Sequence, residues 1–232
     1  SLAENTAGIR SFVGMLPDAL KNFLKRIPLE NWHPGDCIIT NDPWIGSGHL
    51  PDVTMAAPIF HKEKLVGFSG SIAHLPDIGG GGWSSDGREL FEEGIRITPM
   101  KFLKEGEPNQ DVFDFITANV RVPSQVIGDI YAQVTAQQVC AERLSEFLDD
   151  AELEDLSGLS SALLERADIA MRKAIEVVPD GTYRSVLDAD GFDEDETHIE
   201  CAVTVDGSTV HIDYDGTSKQ IDRGLNSVMK NT

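Results

Sequence analysis

Aromatic residues are scarce in this chain of 232, at 7% of the total, and positive charge is outnumbered two to one: 19 Lys and Arg face 39 Asp and Glu, for a formal net charge of −20. A surface of that sign repels both nucleic acid and anionic membrane, and so argues against either as a partner. No segment approaches the roughly 18 to 20 uninterrupted apolar residues of a membrane span, and no signal peptide opens the chain, so a cytoplasmic protein is expected. The three cysteines, Cys37, Cys140 and Cys201, are odd in number, widely spaced and set in apolar patterns. They form no disulfide framework and read as buried thiols in a reducing compartment. Also lacking are a Gly-rich loop ending in Lys-Ser/Thr, a Gly-x-Ser-x-Gly elbow and a cysteine in a nucleophile context. What survives these exclusions is metal-assisted chemistry, in which an ion polarises a carbonyl oxygen or lowers the pKa of water.

The stretch from Gly35 to Gly82 carries the residues for it. A tetrapeptide occurs there twice, as His49-Leu50-Pro51-Asp52 and as His74-Leu75-Pro76-Asp77, bringing two imidazoles and two carboxylates into one short segment. That inventory of borderline nitrogen and hard oxygen donors suits zinc, manganese or iron. Proline holds the leucine before it extended, which places both copies on loops at strand ends. Between them, apolar runs at Val53 to Phe60 and Leu65 to Ile72 flank the charged turn His61-Lys62-Glu63-Lys64. This hairpin pattern returns the chain beside its starting point and brings His49 near His74. Gly79-Gly80-Gly81-Gly82 follows the second copy and runs into Trp83-Ser84-Ser85. Glycine tolerates close approach of backbone to a ligand, so Gly80 and Gly81 are candidates to contact substrate, although a flexible surface loop has the same composition.

Elsewhere the chain reads as scaffold. Leu16, Leu20, Phe23 and Leu24 mark a helix ended by Pro28, and Cys37 to Thr40 form a short buried strand. Asn41-Asp42-Pro43 ends that strand, where Asp42 is either turn chemistry or a carboxylate serving the metal site as ligand, orienter or general base. Glu93 and Arg96, after a short helix stopped by Gly94, are candidate substrate contacts or a solvated ion pair. From Asp111 to Val178 the pattern is helical, with Ser124 expected as an N-cap after Pro123 and a second helix from about Ser160. From Thr182 the character turns to strands, with a hairpin signal at Val205-Asp206-Gly207-Ser208. The expected fold class is α+β, with largely antiparallel sheets and a long helical hairpin. Its expected regions are a metal-site region over 1–110, the hairpin over 111–180 and an antiparallel β region, cut short, over 181–232.

Several motifs together resemble the hydantoinase B/oxoprolinase family. They are Gly35-Asp36, Thr40-Asn41-Asp42-Pro43, Gly48 to Val53, Ala73-His74, Asp77-Ile78-Gly79-Gly80, Phe91 to Ile97, Ala118-Asn119-Val120-Arg121, Gly128-Asp129 with Gln133, and Asp213 to Ser218. Against that family the start at Ser1 lacks a leading segment and the end at Asn231-Thr232 falls inside a motif, so a fragment of a larger subunit is expected. The resemblance implies a divalent metal, zinc or manganese before iron, held by His49, Asp52 and His74, with Asp42 and Asp77 as catalytic carboxylates beside it. It also implies a hydantoinase A-like (HyuA-like) ATPase subunit or fused domain that consumes ATP to phosphorylate a small-molecule substrate, in a hetero-oligomer. The implied reaction is opening of a cyclic amide such as a hydantoin or 5-oxoproline. Ketone carboxylation of the acetone or acetophenone type is the alternative, and a non-catalytic structural subunit the second.

Overall fold

The computed structural model describes residues 14–46, 48–81, 84, 86–192 and 195–224, together with 2, 3, 12, 226 and 228. Gly82, Trp83, Ser85 and the terminal Asn231-Thr232 lie outside the described residues. The α+β expectation holds: helices accompany two antiparallel sheets. Two compact units divide the chain, one running to Leu156 and rejoined by the described residues from Asp222 on, the other from Ser157 to Ile221. The break falls inside the stretch expected as one helical region.

In the first unit, strands β1 (Cys37–Thr40), β2 (Asp52–His61), β3 (Lys64–His74), β4 (Met100–Lys104) and β5 (Glu107–Pro108) form one antiparallel sheet in the order β3-β2-β1-β4-β5. Successive side chains of a strand point to opposite faces, and both faces are covered. On one, Ile39, Val53, Met55 and Leu103 meet Val112, Ile116, Val126, Ile130 and Val134 of helices α3 (Gln110–Asn119) and α4 (Pro123–Asp150) in the main core. On the other, Ile38 and Ala56 meet Trp32 and Phe23 of helix α1 (Met15–Arg26). Helix α1 buries Met15, Ala19 and Phe23, one stripe at four-residue spacing. The short helix α2 spans Leu90–Glu93.

The β2–β3 hairpin is longer than its apolar runs. Its turn is only Lys62-Glu63, both at positive φ (47° and 66°), and the ladder closes on the pair His61 and Lys64. Phe60 pairs with Leu65 but Ile59 pairs with Gly67, so Val66 is one extra residue, a β-bulge. At the open end the ladder runs on to the pair Asp52 and His74.

Helix α4 starts differently from expectation. Pro123 takes the first helical position, Val122 the cap position, and no side chain caps the helix. Ser124 therefore sits two residues past the N-cap position, too far inside to act as the cap. Cys37 is buried and donates its thiol hydrogen to Gln137 Oε1 at 3.2 Å. Burial, aided by the neighbouring Asp36 charge, pushes its pKa up to about 12, so it is an inert thiol at neutral pH. Cys140 corrects the reading of three buried thiols, because it is exposed, while Cys201 is half-buried.

The second unit holds helix α5 (Ser157–Ile175) and a sheet of β6 (Gly181–Phe192), β7 (Asp195–Asp206) and β8 (Thr209–Asp213) in that order. The pairs Tyr183 with Val203, Leu187 with Ile199 and Val203 with Ile212 line up one apolar face. Arg184, Asp188, His198 and Glu200 share the polar one, with His198 Nδ1 2.6 Å from Asp188 Oδ1. Among the described residues no helix is long and apolar enough to cross a membrane.

Candidate metal centre

Asp52 opens β2 and His74 closes β3, and because they form one rung of the ladder their side chains rise from the same face of the sheet. His49 approaches from the loop before β2. The Asp52 carboxylate lies between the two rings: Oδ2 is 2.8 Å from His49 Nε2, and Oδ1 is 3.1 Å from His74 Nδ1. The ring centroids are 5.3 Å apart, and one ligand atom from each of the three residues falls within 4.8 Å of the others. Exposure is graded, with side chains 7% accessible at Asp52, 25% at His49 and 54% at His74. The carboxylate is the floor of the cluster and His74 its open side. The hydrogen bond to Asp52 raises the pKa of His49; partial burial opposes this, and the charges of Asp52 and Glu93 add to it.

Two imidazole nitrogens and one carboxylate oxygen fit a borderline divalent cation such as zinc or manganese. Three protein donors are also the number typical of catalytic sites, which keep a position for water or substrate. Among the described residues this is the group of three or more His, Cys, Asp or Glu side chains close enough to share an ion.

The loop carrying His49 is fastened by Asn41, which sequence reasoning did not assign to the site, and by Glu93, which it expected to touch substrate. Asn41, fully buried at the end of β1, donates its Nδ2 hydrogens to Leu50 O and Ile95 O, both at 2.9 Å, and accepts the Ile97 N–H at 2.6 Å. The Glu93 carboxylate accepts the Leu50 N–H at 3.2 Å. In the sequence Asn41 looks like half of an Asn-Asp-Pro turn, and nothing in its neighbours signals a bond to a residue nine positions on.

The remaining expected residues are placed apart from the three donors. Asp42 is buried; its Oδ2 accepts from Arg96 Nε at 2.9 Å and from Nη2 at 2.5 Å, while its Oδ1 accepts the Trp44 N–H at 3.1 Å. The Arg96 guanidinium lies over the Trp44 ring, 5.5 Å from its centroid. Asp77 is not brought into the cluster. Its carboxylate accepts the N–H groups of Gly79 at 2.9 Å, of Arg121 and of Val122 at 3.3 Å, and pairs with the Arg121 guanidinium at 3.0 Å. Burial, the largest influence on Asp77, acts to raise its pKa, but those N–H donors and the Arg121 charge together leave it lowered. Asp77 thus anchors the lead-in to α4.

Gly79 and Gly80 serve packing. Both have positive φ, and a Cβ at either would come within 2.5 Å of backbone, at Asn119 O for Gly79 and at Glu93 C for Gly80. Gly81 donates its N–H to Glu92 O at 2.7 Å. Close passage of Asn119 accounts for Gly79, and that of residues 92–94 for Gly80 and Gly81.

Comparison with known proteins places this geometry in a family. The chain is 32% identical over 232 residues to a protein of Pseudomonas sp. (strain NS671) that carries the provisional name of a D-/L-hydantoinase subunit, across 94% of this chain and 39% of that relative. It is 29% identical over 160 residues to the acetophenone carboxylase delta subunit of Aromatoleum aromaticum (strain DSM 19018 / LMG 30748 / EbN1), across 67% of this chain and 23% of that one. The solved structure of the ATP-dependent caprolactamase from Pseudomonas jessenii matches with a TM-score of 0.86 at 30% identity, over 95% of this chain and 39% of that one. The chain spans about two-fifths or less of the length of these relatives. The family model for hydantoinase B/oxoprolinase matches residues 1–232, and the chain belongs to that family.

Proposed function

We propose that this chain is the metal-bearing part of an ATP-dependent cyclic amidohydrolase, opening a ring of the hydantoin or 5-oxoproline type. The convergence of His49, Asp52 and His74 on one face of a hairpin end carries the reading. A divalent cation, zinc or manganese before iron, would be held by these three side chains, and when bound it would polarise a substrate oxygen or lower the pKa of water. Asp52, nearly buried and set between both rings, fixes their orientation and keeps a negative charge where a cation would sit. Arg96, held by Asp42 and lying over Trp44, has a side chain 40% exposed, and its charge would serve an anionic group of the substrate.

The chain contains no nucleotide-binding loop of the Lys-Ser/Thr kind, so ATP use falls to a hydantoinase A-like partner subunit or fused domain. Phosphorylation there would turn an unreactive amide oxygen into a leaving group before the intermediate reaches this site. The name of the caprolactamase relative, an ATP-dependent enzyme for a cyclic amide, supports the hydrolytic reading. The acetophenone carboxylase relative supports ketone carboxylation as the second reading.

The parent complex, given ATP and candidate cyclic amides and ketones in labelled water or labelled bicarbonate, separates them. Ring opening with label from water is the expected result. Label from bicarbonate in a new carbon-bonded carboxylate would replace the first reading with the second.

A further inference from the structure

We infer that Glu93 and Asn41 are positioning residues for the metal centre, acting through the two peptide groups of Leu50. The inference rests on His49, Asp52 and His74 being the ligands. Leu50 stands between two of them, its side chain fully buried in the main core. Its N–H is taken by Glu93 and its carbonyl by Asn41.

Three further backbone groups of the tetrapeptide are also engaged. The Asp52 N–H bonds to His49 O at 3.3 Å, the Leu75 N–H bonds to Pro51 O at 2.8 Å, and Pro51 has no N–H to place. Only two of these restraints come from side chains, and they come from different segments, one before the loop in sequence and one after it. Removing either takes away one of the bonds that orient a Leu50 peptide group, and so loosens the line along which His49 meets Asp52.

The two residue types suit different demands. The Asn41 site asks for two donors and one acceptor from one short side chain, which a carboxamide supplies and a carboxylate cannot. The Glu93 site asks only for an acceptor, so glutamine can replace glutamate there without losing the bond. Glu93 is also half-buried, which makes it the safer position to change. If the side chain acts through Leu50, its hydrogen bond matters and its charge does not.

Isothermal titration of the metal-stripped parent protein with Zn²⁺ or Mn²⁺ alone, alongside thermal melting without metal, tests this. Glu93→Ala is expected to bind about 10 to 100-fold more weakly, the usual cost of losing a group that orients a ligand. Glu93→Gln should restore most of the affinity, and the metal-free melting temperatures of both should stay near wild type. Asn41→Asp keeps the acceptor for Ile97 and loses both donors, and should weaken metal binding as well. Wild-type affinity in Glu93→Ala overturns the inference. So does Glu93→Gln binding as weakly as Glu93→Ala, because the carboxylate charge would then be what counts. His49→Ala separates the two levels: full affinity there removes the centre itself, whereas loss there with no loss in Glu93→Ala removes only the positioning role.

Discussion

In the first copy of the tetrapeptide, Asp52 begins a strand and its carboxylate lies between two imidazoles. In the second, Asp77 has left the strand behind, and its carboxylate gathers backbone N–H groups ahead of a 28-residue helix. His49 and His74, by contrast, meet. The same four residues thus give two histidines one task and two aspartates different ones. The cause lies in the chain direction: the hairpin runs from the first copy to the second, so the last residue of copy one and the first residue of copy two are the two that face each other across the ladder. His49 and Asp77 lie on the outer sides of that pair. His49 folds back to Asp52, three residues on, and Asp77 turns outward to Arg121.

The largest test of this contrast exchanges each aspartate for alanine. Asp52→Ala should lose stoichiometric metal on elemental analysis of the purified parent protein. Asp77→Ala should keep its metal but unfold more readily, by about 1 to 3 kcal/mol in denaturant titration, because several N–H donors lose their acceptor. Metal loss in Asp77→Ala with unchanged stability would show that the two copies are not divided in this way.

A smaller effect should appear in the pH dependence of the metal-free protein. The pKa of His49 is raised in the fold, so its contribution is complete below the ordinary histidine value of about 6.5 and is lost as pH rises through the raised value. Asp77 is lowered, so its contribution is present above the ordinary aspartate value and is lost as pH falls through the lowered one. Denaturation midpoints should therefore decline on the alkaline side through His49 and on the acid side through Asp77. The His49→Ala variant should flatten only the first decline, and Asp77→Ala only the second.

The smallest effect is expected at the closed end of the hairpin, away from both copies. Lys62 and Glu63 occupy left-handed backbone, which Asn and Gly adopt with less strain in a two-residue turn. The double change Lys62→Asn with Glu63→Gly should raise stability by about 0.5 to 1 kcal/mol. Metal affinity should stay as it was, since the ladder between turn and site is untouched.

Much of this was legible in the sequence, and the reasons for the rest are physical. The repeated tetrapeptide, the hairpin between its copies and the strands of the second unit all show in alternation and turn residues, which are local signals. The strands run further in the molecule than the apolar pattern suggests, because Asp52, Ala73 and His74 continue the ladder without continuing that pattern. Asn41 went unassigned because its partners Leu50, Ile95 and Ile97 come from loops brought together only by the fold. Gly80 and Gly81 suggest a ligand because sequence shows a glycine's permissiveness but not which backbone needs the space. In the second unit the alternation is as clear as in the first, yet Leu187 and Ile212 of its apolar face remain 61% and 54% exposed. Pattern tells which face is apolar, not what lies on it.

Val66 bears on all of this through simple parity. From the turn outward, paired positions sum to an odd number as far as Phe60 and Leu65, and to an even number from Ile59 and Gly67 onward. Had Val66 paired with Ile59 in an unbroken ladder, Asp52 would stand opposite Ala73, and His74 would project from the reverse side of the sheet. A valine at the far end of the ribbon, with no chemistry of its own, works as a counting error that the chain keeps on purpose. The face that gathers His49, Asp52 and His74 is assembled only when that miscount is made.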